Sequence, residues 1–110
     1  MKSYKQNFQD NLDAEITVFR EKIMAQPAQA IYDDAYRIHF YEFMYDYLGS
    51  EKFSTAEYKA FLEADKTFIN NLWRQSLDWE DFNVGNLIDA SLLVGAYMRD
   101  YAAHPVPDCM

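Results

Sequence analysis

Apolar side chains return every three or four positions at the start of the chain: Tyr4, Phe8, Leu12, Ile16, Phe19 and Ile23. That spacing predicts an amphipathic helix over residues 3–25, with Lys5, Asp13, Glu21 and Lys22 off the stripe. Pro27 marks a break. Its fixed φ and missing N–H also suit it to the first turn of a following helix. A second helix is expected over residues 27–48 with two stripes, one of Ile31, Ala35, Ile38, Tyr45 and Leu48, the other of Tyr32, Tyr36, Phe40, Phe43 and Tyr47. A helix apolar around most of its circumference belongs in the centre of a bundle. Gly49 is placed to cap its C-terminus.

The third helix has the clearest start. Ser54 stands three residues before Glu57, the spacing of a capping box, and Phe53 and Tyr58 are placed for a hydrophobic staple. Apolar positions continue through Phe61, Leu62, Phe68, Ile69, Leu72, Trp73 and Leu77, as one helix or as two broken near Asp65 to Thr67. Asp78-Trp79-Glu80-Asp81 reads as a turn or a helix start, with acids at the positive end of the dipole. The last helix should carry Val84, Leu87, Ile88, Leu92, Met98 and Tyr101, with Gly95 allowing a close helix approach. His104-Pro105-Val106-Pro107-Asp108 ends it. The expectation is an all-α fold, a small bundle of four to five helices. A single domain would span residues 1–104, followed by a loose tail over 105–110.

Composition supports a folded chain. Half of the 110 residues are hydrophobic and 17% are aromatic, far from the profile of a disordered segment. Only three Gly and three Pro are present, too few for the turns of a β-sandwich. No apolar run is long enough for a membrane span, and the N-terminus lacks the apolar core of a secretion signal. Cys109 stands alone, so no internal disulfide is possible. Together these features point to the cytoplasm.

The formal charge of −8 argues against binding bare nucleic acid and favours basic protein surfaces. Its distribution is uneven. Residues 1–25 and 51–77 balance their acids and bases. Residues 26–50 set Arg37 alone against Asp33, Asp34, Glu42 and Asp46. Residues 78–110 set Arg99 against Asp78, Glu80, Asp81, Asp89, Asp100 and Asp108. Both acidic segments are rich in aromatics. Side by side they would form an anionic patch with Tyr41 and Tyr45 as anchors. The plainer reading of the same pattern is a solvated face that keeps the protein soluble.

No motif brings catalysis. His39 and Glu42 reverse the Glu-x-x-His order of di-metal bundles and lack the companion ligands. Asp33-Asp34 and Asp78-Glu80-Asp81 are adjacent residues that diverge on a helix, where paired acid–base carboxylates must converge. Asp81, Asn83, Gly85 and Asn86 resemble a calcium loop without its closing Glu. The aromatics of the second helix are spaced like core residues, not like a ligand box. The chain is therefore expected to be no enzyme and to take no cofactor or metal.

The segment Ala35-Tyr36-Arg37-Ile38-His39-Phe40-Tyr41-Glu42-Phe43, with Leu12, Glu15, Phe19, the break at Pro27, and Leu62, Leu72 and Trp73, resembles a family of small helical proteins encoded on bacterial mobile elements and phages. The resemblance covers roughly residues 12–77 and brings no catalytic residues. It implies a genomic setting in which small acidic proteins look like anti-CRISPR and anti-restriction inhibitors, which present carboxylates where an enzyme expects phosphates. The sequence thus leads to a non-enzymatic binder of a basic protein surface, such as that of a nucleic-acid enzyme. Asp33, Asp34, Asp46, Asp78, Glu80, Asp81 and Asp89 would supply charge. The alternative is a structural module that homodimerises through the apolar surplus of the second helix.

Overall fold

A computed structural model describes residues 3–64, 67–79 and 81–103, with side chains through Arg99. The described residues are all-α, arranged as six helices: α1 (Tyr4–Met24), α2 (Ala28–Asp33), α3 (Ala35–Ser50), α4 (Thr55–Ala64), α5 (Phe68–Ser76) and α6 (Leu87–Ala103). This exceeds the expected four to five, because two expected helices each divide. The proposed tail over 105–110 lies outside the described residues.

α1 follows its stripe. Ser3 accepts a hydrogen bond from the Gln6 amide at 3.1 Å and caps the start. Phe8, Leu12 and Ile16 are buried. The second expected helix breaks at Asp34, which ends α2 and begins α3 at φ −93° and ψ 10°. Asp competes with a helix through local hydrogen bonding, and two in succession make a soft point. α3 then runs past Gly49 and ends at an extended Glu51, so Gly49 is a helical residue and not a left-handed cap.

The capping box forms as its spacing predicts. Ser54 Oγ accepts from the Glu57 amide at 3.1 Å and Glu57 Oε1 accepts from the Ser54 amide at 2.9 Å. Phe53 meets Tyr58 with ring centroids 5.6 Å apart, the expected staple. α5 begins without a cap from its own segment. Glu15 of α1 supplies one across the fold, accepting from the Ile69 and Asn70 amides at 2.9 and 2.8 Å. A carboxylate at a helix N-terminus satisfies orphan donors and opposes the dipole.

α6 starts later than its pattern suggests. Val84 and Gly85 stay in the preceding loop, and Gly85 takes φ 96°, a conformation that favours glycine. Asn86 Oδ1 accepts from the Asp89 amide at 3.0 Å, and Asp89 Oδ2 accepts from the Asn83 amide at 2.9 Å. Gly95 does not mediate a close approach, since an added Cβ there would meet only the end of the Arg99 side chain at 4.0 Å.

The core is aromatic. Phe8, Phe61 and Phe68 meet pairwise at 5.1 to 5.4 Å between centroids and join α1, α4 and α5. On α3, Phe40, Tyr41, Met44, Tyr47 and Leu48 are buried. Ala90, Leu93 and Val94 bury one face of α6. The aromatic surplus of the second expected helix is thus largely absorbed by the core.

Candidate functional site

Residues 33–46 and 78–89 hold most of the surplus acid, and a chain of aromatic rings runs between the two stretches. Tyr36 meets Trp73 at 5.8 Å, Trp73 meets Phe40 at 5.2 Å, Phe40 meets Phe82 at 5.6 Å, and Phe82 meets Trp79 at 6.2 Å. Asp78 and Asp81 directly precede Trp79 and Phe82, and both are exposed. Asp33 and Asp34 lie two or three residues before Tyr36. The chain passes through the core, since Phe40 and Phe82 are buried, and its ends, Tyr36 and Trp79, stand near Asp33–Asp34 and Asp78–Asp81 in sequence.

The sequence-predicted residues fare differently. Asp46 is exposed, as is Asp33, which accepts from Gln29 Nε2 at 3.1 Å. Asp34 is half-buried at the α2–α3 joint. Asp89 is occupied by the loop it closes. Glu80 lies outside the described residues.

Tyr41 is not a surface anchor: it is 3% exposed. Its ring stacks on Phe19 at 3.9 Å with 9° between planes, and its hydroxyl donates to Asn70 Oδ1 at 2.9 Å. Burial pushes its phenol pKa above the ordinary value, opposed by the nearby Arg37. Tyr45 is half-buried and donates to Asp13 Oδ1 at 2.6 Å, a bond that also raises its pKa. Its hydroxyl is thus already taken.

The tyrosines that stand out are Tyr32 and Tyr36, 78% and 54% exposed. Their position beside Asp33 and Asp34 was the available signal. It was masked because both share a helical stripe with Phe40 and Tyr47, which are buried.

His39 and Glu42 do not form a site. His39 is exposed, and Glu42 binds Arg20 through both carboxylate oxygens. That bond raises the Arg20 pKa. Among the described residues, no three His, Cys, Asp or Glu side chains converge as metal ligands would. No helix among them is long and apolar enough to cross a membrane.

α6 carries a second group of exposed apolar side chains. Leu87, Ile88 and Leu92 are 62%, 71% and 55% exposed, while Ala90, Leu93 and Val94 of the same helix are buried. Exposed apolar surface is thus found on α6 as well as at Tyr32 and Tyr36 of the second expected helix. Set against known protein families, curated proteins and solved structures, the chain matches none.

Proposed function

We propose that this protein is a non-enzymatic binding module that engages a basic protein surface through its acidic, Tyr-bearing face. The observation that supports the reading is the pair of exposed tyrosines, Tyr32 and Tyr36, beside Asp33 and Asp34, with a ring chain running from Tyr36 through the core to Trp79 next to Asp78. Asp33, Asp46, Asp78 and Asp81 would supply charge, and Tyr32 and Tyr36 replace Tyr41 and Tyr45 as anchors. Tyrosine gives contact area and a hydroxyl at small entropic cost. The carboxylates would steer encounter with cationic side chains. A nucleic-acid-binding groove on an enzyme is one surface of this chemistry, and occupying it would make the protein an inhibitor.

The test is capture of partners from a bacterial lysate at low salt, with elution along a salt gradient. A basic nucleic-acid-binding protein released at moderate salt is the expected result, because screening weakens such contacts. A partner that resists salt would contradict the reading.

A second reading is self-association through Leu87, Ile88 and Leu92, whose shared exposure near the start of α6 is what favours it. Sedimentation equilibrium would then give a dimer, and Ile88→Asp a monomer. A wild-type monomer at high concentration removes it.

A further inference from the structure

α1, α3 and α5 border a cavity of about 460 Å³, a volume typical of small-molecule sites. Val18, Phe19 and Tyr41 give it apolar walls, and Lys22, Arg37, Glu15 and Asn70 its charged and polar ones. Two cations therefore face one carboxylate, in a chain of net charge −8. That carboxylate is engaged, since both Glu15 oxygens accept amides of α5.

Arg37 is the unusual group. Its guanidinium carbon lies 5.9, 5.4 and 5.9 Å from the ring centroids of Phe19, Tyr41 and Trp73. Its Nη2 donates to the Tyr41 hydroxyl at 3.4 Å and to Asn70 Oδ1 at 3.5 Å, both long for hydrogen bonds. Its Nε is buried without a partner. Among the described residues, no carboxylate pairs with it. Arg20 shows what the group prefers: both carboxylate oxygens of Glu42. Arg37 is partly removed from water and held rigid by rings, yet has only neutral acceptors at long range. Partial burial strengthens its attraction for an anion, and the rings favour a flat apolar body beside it.

We propose that this cavity binds a small monoanionic ligand with a flat apolar body, of which an aromatic carboxylate is the simplest case. The carboxylate pairs with Arg37, Lys22 adds attraction at the rim, and the ring packs against Val18 and Phe19. This site is independent of the acidic face.

The test uses 1-naphthoate and its uncharged isostere 1-naphthamide, titrated separately into the full chain and followed by ¹H–¹⁵N NMR. Naphthoate should move the resonances of Val18, Phe19, Asn70 and the Arg37 side-chain N–H. Naphthamide should bind about tenfold more weakly, since it forfeits a charge-assisted pair. Arg37→Gln should erase that preference. Because Arg37 also packs on three rings, Val18→Glu gives a second arm. Val18 is 49% exposed, so the fold should tolerate a carboxylate there; both ligands lose an apolar contact, and naphthoate binding should fall several-fold further than naphthamide binding. Equal affinity for acid and amide, shifts centred on Leu87 to Leu92, or no shifts at about 10 mM naphthoate would each overturn the proposal.

Discussion

The starts of α1, α4 and α5 and the start of α2 meet the same physical problem to different depths. At the first three, side chains answer the open backbone donors: Ser3 at α1, the Ser54–Glu57 pair at α4, and Glu15 reaching across to α5. Between them lies the cluster of Phe8, Phe61 and Phe68. α2, in contrast, has six residues, none buried, and no side-chain cap. It carries Tyr32 into solvent, and α6, although capped by Asn86 and buried along one face, likewise exposes Ile88, the two being 78% and 71% exposed. The first region holds the fold together. The second carries acidic, aromatic and aliphatic groups that the fold does not use, and these are the groups available to a partner. Stability and binding should therefore respond to different residues.

Substitutions can break that division. Phe68→Ala removes a ring that touches Phe8, Phe61 and Tyr97, and should cost about 3–5 kcal/mol in urea unfolding. Glu15→Ala leaves two amides of α5 without their acceptor and should cost about 2 kcal/mol. Hydrogen exchange at Ile69 and Asn70 should then accelerate more than at Tyr58, which separates a lost cap from general loosening. Ser54→Ala should cost about 1 kcal/mol by the same unfolding measurement.

Alkaline pH acts on the tyrosines. Tyr41, Tyr45 and Tyr47 all have raised pKa values, from burial at Tyr41 and Tyr47 and from the bond to Asp13 at Tyr45. A raised folded-state pKa means the folded protein holds its proton longer. Stability is then complete below the unfolded tyrosine value of about 10 and falls as pH climbs from there through the folded values. Tyr41→Phe should flatten that fall in thermal melts between neutral and strongly alkaline pH. The smallest effect belongs to the other region. Tyr32→Ala should change stability by no more than about 0.5 kcal/mol. A larger loss would mean that α2 supports the fold after all.

Much of the holding region was legible in the sequence because its signals are local. Ser54, Glu57, Phe53 and Tyr58 sit within one helical turn of each other, and Phe8, Leu12 and Ile16 repeat with a single period. The misreadings share one cause, which is that the deciding partner lies far along the chain. Tyr41 looks like an anchor until Phe19 and Asn70 enclose it. Glu15 shows nothing in its own segment of the cap it gives α5, and the cavity beside Arg37 draws on three separate stretches. The break at Asp34 had only a weak local sign, two successive Asp residues. The late start of α6 had a better one in the Asn86–Asp89 spacing, which sequence reading passed over. Exposed Tyr32 was hidden by periodicity itself. A stripe records one face of a helix but not where the core beneath it ends.

The most direct test of the acidic face is the affinity of its captured partner for the Asp33→Asn, Asp46→Asn, Asp78→Asn, Asp81→Asn variant, measured by calorimetry at low and high salt. The account predicts a melting temperature near wild type, affinity lower by about tenfold or more at low salt, and little remaining salt dependence. Wild-type affinity with wild-type salt dependence in that variant would contradict it.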